Sequence, residues 1–323
     1  MKLVVLDGFA LNPGDLSWDP LYALAAPLIQ DRIAESEIVS SATGAEILLT
    51  NKTPLRRKTL EALPDLQYIG VLATGYDIVD AEYAATRGIV VTNVPAYGTD
   101  SVAQMVFALI LELSNRTGVH NDAVCQLKWS RNPDWCFRQT PMVELAGKTL
   151  GIVGFGRIGR RVADIARAFG MHVVATGRSR PADLPDGVQW VELDRLFSSA
   201  DIVSLHCPLQ ASTRGLINSA RIARMKPTAL LINTARGALV VEDDLAEALN
   251  SGRLGGAGLD VLSTEPPGAN NPLLGATNCI VTPHIAWATR EARERLLETA
   301  ITNLRMWMEG NPRNVVNPGA LDQ

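Results

Sequence analysis

The most informative segment of the 323-residue sequence is residues 150–170, which read LGIVGFGRIGRRVADIARAFG. A short apolar run typical of a strand comes first, and the glycine pattern G-x-G-x-x-G follows it at residues 154–159. Apolar residues then recur at helical spacing as far as Gly170. A strand, a glycine turn and a helix in this order predict a dinucleotide site with the pyrophosphate on the helix N-terminus. The alternative is a structural turn that binds no ligand.

Each glycine of this turn has a separate expected task. The first would allow the tight turn, the second the close approach of the pyrophosphate, and the third the packing of helix on strand. The candidate cofactor contacts in the turn are Gly154, Gly156, Arg157, Ile158 and Gly159.

The next strand, MHVVATG at residues 171–177, lacks the acidic residue that usually binds the adenosine ribose at this point. Gly177, Arg178, Ser179 and Arg180 occupy that place instead. Guanidinium groups pair well with a phosphate, and no carboxylate is present there to repel it. We therefore expect NADP to be preferred over NAD. The alternative is that both arginines only solvate a loop.

Bulk properties restrict the partners and the location. The net charge is −4 with a pI near 5.7, which gives no electrostatic reason to expect nucleic acid or an anionic membrane as a partner. The most apolar stretch, residues 101–114, is shorter than the roughly 20 residues of a membrane span. The chain starts as a first strand and not as a signal peptide, so a cytoplasmic protein with four reduced cysteines is expected. No cysteine or histidine grouping suggests a metal site.

Short apolar runs alternate with helical patterns almost throughout, which predicts α/β domains with parallel sheets. The first set comprises KLVVLD, SEIVSS, AEILLTN, QYIGVLAT and GIVVTNV. Residues 119–147 interrupt the alternation with aromatic residues and prolines and are interpreted as an arm and connector. The second set begins at KTLGIVG and continues to CIVTPH, and a long amphipathic helix closes the chain.

Chemically capable residues follow three strands of the second set. Arg236 follows ALLIN, Asp260 and Glu265 follow GGAGL, and His284 ends CIVTPH. The carboxyl ends of parallel strands are where ligands bind in such folds. Each of these residues also has a purely structural explanation: Arg236 could form a surface ion pair, Glu265 could be a loop acid and His284 could be a buried histidine. All three would then have to follow strand ends by coincidence.

Four motifs occur in order: GFGRIG (154–159), NTARGALV (233–240), LDVLSTEP (259–266) and TPHIAWAT (282–289). Together they resemble the signature of the D-isomer-specific 2-hydroxyacid dehydrogenases, and the similarity covers essentially the whole chain. NKTPL, VLATGY and TPHIAWATREAR further resemble the glycerate dehydrogenase (hydroxypyruvate reductase) branch. The resemblance implies two Rossmann-like, doubly wound parallel-sheet α/β domains with the coenzyme domain inserted in the substrate domain. The flavodoxin-like substrate domain would be residues 1–98 and 288–323, and the NAD(P)-binding domain residues 99–287.

The resemblance also implies roles for individual residues. His284 would be the acid/base, paired with Glu265, and a nearby carboxylate favours the protonated imidazole that reduction needs. Arg236 would bind the substrate carboxylate and polarise the carbonyl. Asp260 is similar to the residue that binds the nicotinamide amide. Further implied cofactor contacts are Thr74, His206, Pro208, Thr213, Thr234 and Ala235, and further substrate contacts are Lys52, Ala73, Thr74 and Gly75.

The expected reaction is the reversible reduction of hydroxypyruvate or glyoxylate to D-glycerate or glycolate. The alternatives are a family dehydrogenase with another 2-oxoacid and a nucleotide-gated, corepressor-like binding protein of the same fold. Two other enzymes of the family fit this sequence less well. Formate dehydrogenases carry glutamine where this chain has Glu265, and phosphoglycerate dehydrogenases often append a regulatory domain. A homodimer is expected, because the helix at 101–114 is apolar on more faces than one domain would cover and the arm is rich in aromatic residues.

Overall fold

The computed structural model describes residues 1–322, the last of them by its backbone alone. The chain divides into two compact units. One is formed by Met1–Gly98 and Ala288–Gln323, and the other by Thr99–Trp287. Each unit contains one parallel sheet, with five strands in the first and seven in the second. The predicted fold class, two α/β domains with parallel sheets, is confirmed.

The strands in chain order are β1 (Leu3–Val5), β2 (Pro27–Ile29), β3 (Ile47–Thr50), β4 (Tyr68–Val71), β5 (Val90–Thr92), β6 (Thr149–Val153), β7 (His172–Thr176), β8 (Val188–Trp190), β9 (Ile202–Leu205), β10 (Leu230–Asn233), β11 (Gly256–Leu259) and β12 (Cys279–Val281). The α-helices in chain order are α1 (Asp19–Tyr22), α2 (Ile38–Ala42), α3 (Arg57–Glu61), α4 (Ala81–Thr86), α5 (Thr99–Asn115), α6 (Thr117–Cys125), α7 (Arg157–Ala168), α8 (Leu193–Ser199), α9 (Ser219–Ile222), α10 (Glu242–Asn250) and α11 (Arg290–Met308).

The sheet of the first unit has the strand order β2-β1-β3-β4-β5. This is the flavodoxin-like order of a doubly wound sheet. Apolar side chains of the central strands, such as Val4, Leu48 and Ile69, are fully buried in one cluster. The strands are buried because helices cover such a sheet on its faces. One of these helices is α11, whose Trp307 ring lies 4.9 Å from the ring of Tyr68 in β4.

One strand predicted for the first unit is wrong. The segment SEIVSS at residues 36–41 does not form a strand: it enters α2 after a short 3-10 turn. Ile38 and Ala42 are buried and lie four residues apart, which is the spacing of one helical face. The second strand of the sheet is instead Pro27–Ile29, which was not predicted.

The sheet of the second unit has the strand order β12-β11-β10-β9-β6-β7-β8. The chain winds outward from β6 in one direction to β8 and then in the other direction from β9 to β12. The order therefore reverses between β6 and β9, and ligands of doubly wound sheets bind at this reversal, outside the carboxyl ends of the strands.

Helix α5 packs on β11 of its own unit. A Cβ atom at Gly258 would lie 2.9 Å from Cβ of Leu109, so the absence of a side chain in the strand allows the helix to approach. Val106, Phe107 and Ile110 are buried in the same cluster as residues of β6 and α7. The premise that one domain could not cover this helix is therefore wrong, because its own unit buries most of its apolar side chains.

Residues 1–322 contain neither a membrane-spanning helix nor a cluster of metal ligands. None of the described helices combines the length and the apolar character that crossing a membrane requires. The described histidine, cysteine and acidic side chains form no group of three that could hold a metal ion.

Candidate active site

The candidate residues of the second unit lie along the carboxyl edge of its seven-stranded sheet. Gly154 follows β6, Gly177 follows β7, His206 follows β9, Arg236 follows β10, Glu265 follows β11 and His284 follows β12. Since β12, β11 and β10 are neighbours in the sheet, the three candidate catalytic residues follow adjacent strands.

The glycine turn has the shape of an anion cradle. Gly154 has a φ of +97°, and a Cβ atom there would lie 2.5 Å from the backbone nitrogen of Cys207. A Cβ atom at Gly159 would collide with the carbonyl oxygen of Gly154. At Gly156, the N-cap of α7, a Cβ atom would meet nothing within 4 Å, and no side chain caps the helix. The open space and the uncapped N–H groups at Arg157 and after it suit a phosphate.

The loop after β7 presents two cations. Gly177, Arg178, Ser179 and Arg180 are all exposed. Neither arginine has a hydrogen bond or an ion pair with a described residue. A Cβ atom at Gly177 would lie 3.2 Å from Cη2 of Trp190, so any larger residue there presses on that ring.

The turn after β9 contains a histidine that stays neutral. The Nε2 atom of His206 lies 2.8 Å from the hydroxyl of Ser204. Burial lowers the pKa of His206 to about 4, so the ring carries no charge near neutral pH. The hydroxyl of Thr213 closes the turn, donating to the carbonyl of Pro208 at 2.8 Å and accepting from the backbone N–H of Gln210.

The turn after β10 is built around a buried asparagine. The side chain of Asn233 donates to the carbonyl of Arg236 at 2.9 Å and accepts from the N–H of Ala235 at 3.0 Å. The exposed guanidinium of Arg236 donates to the carbonyl of Ala235. The Thr234 hydroxyl is buried and has no hydrogen-bond partner among the described residues. Such an orphaned group is costly unless a ligand or water completes it.

Sequence reasoning missed the role of Asn233, although the signal was present. A polar residue at the last position of an otherwise apolar strand is costly to bury without hydrogen bonds, which indicates a structural role in the turn that follows. Gly237 was also missed, because its need arises from a distant contact: a Cβ atom there would collide with the backbone of Leu262.

Asp260 organises the turn that contains His284. Its carboxylate is buried and accepts hydrogen bonds from the hydroxyl of Thr282 at 2.6 Å and from the N–H groups of Ile285 and Ala286 at 2.9 and 2.8 Å. The backbone N–H of His284 donates to the carbonyl of Asp260, and His284 has a φ of +54°. This left-handed conformation is uncommon for a residue with a side chain, and the surrounding hydrogen bonds hold it.

His284 and Glu265 form a direct pair. The Nδ1 atom of His284 lies 2.5 Å from Oε2 of Glu265. The other carboxylate oxygen of Glu265 accepts from the N–H of Leu262 at 3.1 Å. The two side chains are 26% and 34% exposed, so the pair is reachable and yet partly shielded from water. A carboxylate fixed on one ring nitrogen of a histidine is a usual arrangement for general acid–base catalysis.

The candidate residues of the first unit follow two adjacent strands, β3 and β4. Lys52 is exposed and lies two residues after β3, whereas residues 73–75 begin two residues after β4. The Thr74 hydroxyl donates to the carbonyl of Val94 at 2.8 Å, so this side chain stabilises the loop itself.

Comparisons with known proteins agree with this arrangement. The family model "D-isomer specific 2-hydroxyacid dehydrogenase, NAD binding domain" matches residues 107–286, more than half of the chain. The hydroxypyruvate reductase of Blautia hydrogenotrophica is 49% identical over 98% of this chain and 100% of its own length. The glycerate dehydrogenase of Methylorubrum extorquens is 40% identical over 87% of this chain and 88% of its own length. An NADPH-dependent glyoxylate/hydroxypyruvate reductase from Sinorhizobium meliloti, solved with NADP and malonate, superposes with a TM-score of 0.83 at 28% identity, covering 99% of this chain and 97% of that one.

The sheets, the glycine turn and the relatives define an oxidoreductase that uses a nicotinamide dinucleotide. The chain belongs to the family of D-isomer specific 2-hydroxyacid dehydrogenases. It is therefore an enzyme that transfers a hydride between NAD(P)H and a small 2-oxoacid, and the resemblance inferred from its motifs is confirmed.

Proposed function

We propose that the enzyme reduces hydroxypyruvate and glyoxylate to D-glycerate and glycolate, with NADPH as the preferred reductant. The contact between His284 and Glu265 carries the proposal, because it provides a proton donor in a half-shielded position. The choice of oxoacid is supported by the relatives, which are a hydroxypyruvate reductase at 49% identity and a glycerate dehydrogenase at 40%.

The proton transfer is assigned to Nε2 of His284, since Nδ1 is engaged by Glu265. The hydride for the carbonyl carbon would come from a nicotinamide bound at the carboxyl edge of the seven-stranded sheet. Nε2 of the imidazole donates its proton to the carbonyl oxygen, and the Glu265 carboxylate holds the ring through Nδ1 during this step. In the oxidative direction the same nitrogen accepts the proton.

The cation for the substrate is Arg236, which binds the oxoacid carboxylate and polarises its carbonyl as negative charge develops on the oxygen. Asn233 keeps its backbone in place through two hydrogen bonds. From the first unit, Lys52 and the backbone of Ala73, Thr74 and Gly75 are proposed as further oxoacid contacts.

The dinucleotide is assigned to the carboxyl edge of the seven-stranded sheet. Two observations support the fit: the space at Gly156 is open, and the Thr234 hydroxyl lacks a partner among the described residues. The pyrophosphate is assigned to Gly154, Gly156, Arg157, Ile158 and Gly159, and the nicotinamide half to Thr74, Thr234, Ala235 and Asp260. His206, Pro208 and Thr213 are proposed to contact the adenosine side.

The preference for NADPH is proposed from the loop after β7. Arg178 and Arg180 are exposed cations without partners among the described residues, and Ser179 adds a hydroxyl donor. A 2′-phosphate would find charge-assisted donors there and no carboxylate at Gly177. The S. meliloti reductase, which was solved with NADP, is consistent with this assignment.

The enzyme is also proposed to be a cytoplasmic homodimer. Its cysteines are free thiols, which suits a reducing compartment. The arm presents Trp129, Trp135 and Met142 with 51%, 86% and 57% of their surfaces exposed. Exposed aromatic residues in one segment are typical of a protein interface. Light scattering at micromolar concentration tests this: we expect a dimer that becomes a monomer in Trp135→Ser and persists in a control, Tyr22→Ser, and a monomeric parent would contradict it.

Steady-state kinetics test the function itself. A panel of hydroxypyruvate, glyoxylate, pyruvate and a bulky aromatic 2-oxoacid is assayed with NADPH and with NADH. We expect the highest kcat/KM for hydroxypyruvate or glyoxylate with NADPH. A much higher kcat/KM for the aromatic oxoacid would refute the substrate assignment, and NADPH binding without any turnover would favour the binding-protein alternative.

A further inference from the structure

Asp7 makes four hydrogen bonds to one short segment of the chain. It follows β1, and β1 pairs with β3 in the sheet of the first unit. Its carboxylate accepts from the backbone N–H groups of Asn51, Lys52 and Thr53 at 2.7, 2.6 and 2.7 Å, and from the Thr53 hydroxyl at 3.0 Å. Three consecutive N–H groups and one hydroxyl thus converge on one anion.

This convergence has two physical consequences. Successive N–H groups that point to one place form a concave anion site, and here Asp7 already fills it. The backbone of residues 51–53 is thereby held at the carboxyl edge of the sheet while Lys52 stays exposed. The Lys52 ammonium has no hydrogen bond or ion pair with a described residue, so it is available to an anionic ligand.

The same segment is bonded to the loop that follows β4. The Asn51 side chain is buried and donates to the carbonyl of Leu72 at 2.6 Å. The N–H of Leu72 donates to the carbonyl of Thr50, and the Thr50 hydroxyl donates to the carbonyl of Thr53 at 2.9 Å. The position of residues 51–53 therefore fixes the backbone of Leu72, from which the loop of residues 73–75 starts.

A second amide fixes the other side of that loop. The Asn93 side chain donates to the carbonyl of Thr74 at 2.7 Å, and the N–H of Val94 donates to the carbonyl of Ala73. Asn303 of α11 in turn donates to the carbonyl of Asn93 at 2.9 Å. Residues 73–75 are thus held from two sides, by Asn93 and α11 on one side and by residues 51–53 on the other.

We infer that Asp7 is a positioning residue for oxoacid binding, which places Lys52 directly and residues 73–75 through Asn51. This rests on the proposed function of these two loops as oxoacid contacts. Asp7 itself does not touch the substrate. Its loss weakens the binding of the oxoacid and leaves the binding of the coenzyme and the proton transfer by His284 nearly unchanged.

The test compares Asp7→Asn with Glu46→Gln. Glu46 accepts from the N–H of Lys2 at 2.9 Å, so it joins β1 to β3 at the opposite edge of the same sheet. Asp7→Asn should raise the KM for hydroxypyruvate at least about tenfold, because hydrogen bonds to a charged group are lost. The kcat should stay within about threefold and the KM for NADPH should not change. Glu46→Gln should leave all three parameters unchanged.

A double-mutant cycle shows whether Asp7 acts through Lys52. Lys52→Met should raise the KM less in the Asp7→Asn background than in the parent, since the lysine is already misplaced there. If Asp7→Asn does not fold, Thr53→Val removes only the hydroxyl bond and should raise the KM by about two- to fivefold. The inference would be overturned by a KM within twofold of the parent in Asp7→Asn. If only Thr53→Val folds, the same limit applies to that variant. Additive effects of Asp7→Asn and Lys52→Met in the cycle would also overturn it.

Calorimetry with oxamate, an unreactive 2-oxoacid analogue, separates this inference from the proposed function. If the parent reduces neither hydroxypyruvate nor glyoxylate, the substrate assignment fails, and oxamate binding in the presence of NADP still reports on Asp7. A weaker oxamate Kd in the Asp7 variant than in Glu46→Gln supports the positioning role. Equal Kd values overturn it.

Discussion

The Nδ1 atom of His284 lies 2.5 Å from Oε2 of Glu265, and this contact determines which ring nitrogen can react. Since Nδ1 is engaged, Nε2 is the nitrogen left for the substrate, and it has no hydrogen bond to a described residue. The contact is supported from both sides. Asp260 fixes the turn that contains His284, and the N–H of Leu262 fixes the second oxygen of Glu265.

Replacement of His284 by alanine should lower kcat by about 10²- to 10⁴-fold, because the proton donor is removed. Glu265→Gln keeps an acceptor for Nδ1 and removes the charge, so kcat should fall by a smaller factor. The Kd for NADPH, measured by fluorescence titration, should be nearly unchanged in both variants. Turnover close to that of the parent in His284→Ala would remove this residue from the mechanism.

Arg236→Ala should raise the KM for the oxoacid and lower kcat together, because one cation serves both the bound substrate and the transition state. Arg236→Lys should recover only part of the loss, since an ammonium cannot form the two parallel hydrogen bonds of a guanidinium. The exposed Arg224, which pairs with Asp194, provides the control: Arg224→Ala should leave both parameters unchanged. A change in KM alone would mean that Arg236 stabilises the bound substrate and the transition state equally and does not lower the barrier between them.

Much of this arrangement could be predicted from the sequence, because the reactive residues follow strands whose apolar runs are unmistakable. GIVGFG, LLINTAR and CIVTPH each show where an apolar strand stops, and parallel strands bring such ends to one edge. β2 and β8 were missed because each has only three residues and includes one exposed position, so neither shows a clear alternation.

Interactions between distant residues could not be predicted in this way. Asp7 lies 44 residues from Asn51, and nothing in the local pattern KLVVLD marks its carboxylate as the partner of that segment. The same holds for the turn around Asp260. The sequence suggested a cofactor contact there, whereas the structure adds the hydrogen bonds to Thr282, Ile285 and Ala286.

The cofactor preference should depend on the arginines after β7. Arg178→Ala and Arg180→Ala should each lower kcat/KM for NADPH by about tenfold or more, since a charge-assisted hydrogen bond contributes roughly 1.5–3 kcal/mol. The values for NADH should hardly change, and Arg224→Ala is again the control. Gly177→Asp is the less direct variant, because its side chain would also displace the Trp190 ring. Equal kcat/KM values for both coenzymes in the parent would mean that the arginines do not contact the phosphate.

The stability of the second unit should depend on Asp201 in acid. Burial opposes the ionisation of Asp201, but hydrogen bonds from Lys226 Nζ at 2.7 Å and the Thr149 N–H at 2.8 Å outweigh it and lower its pKa below the ordinary 3.8. A lowered pKa in the folded state stabilises the fold above the ordinary value, and this contribution is lost as the pH falls through the lowered one.

Asp201→Asn should therefore reduce the free energy of unfolding by about 1–2 kcal/mol at pH 7. The difference from the parent should shrink as the pH falls below 3.8. Urea unfolding at a series of pH values measures it. Asp194→Asn, which removes an exposed ion pair with Arg224, should change the stability by much less. A constant difference between Asp201→Asn and the parent at all pH values would contradict the assigned cause.

The most direct measurement of the central claim is the configuration and yield of the product from hydroxypyruvate and NADPH. Chiral chromatography of the reaction mixture, with the coenzyme followed by its absorbance, gives both quantities in one experiment. The account predicts D-glycerate in equal amount to the NADPH consumed, with its formation slowed by about 10²- to 10⁴-fold in His284→Ala. L-glycerate, or no NADPH consumption by the parent, would contradict it.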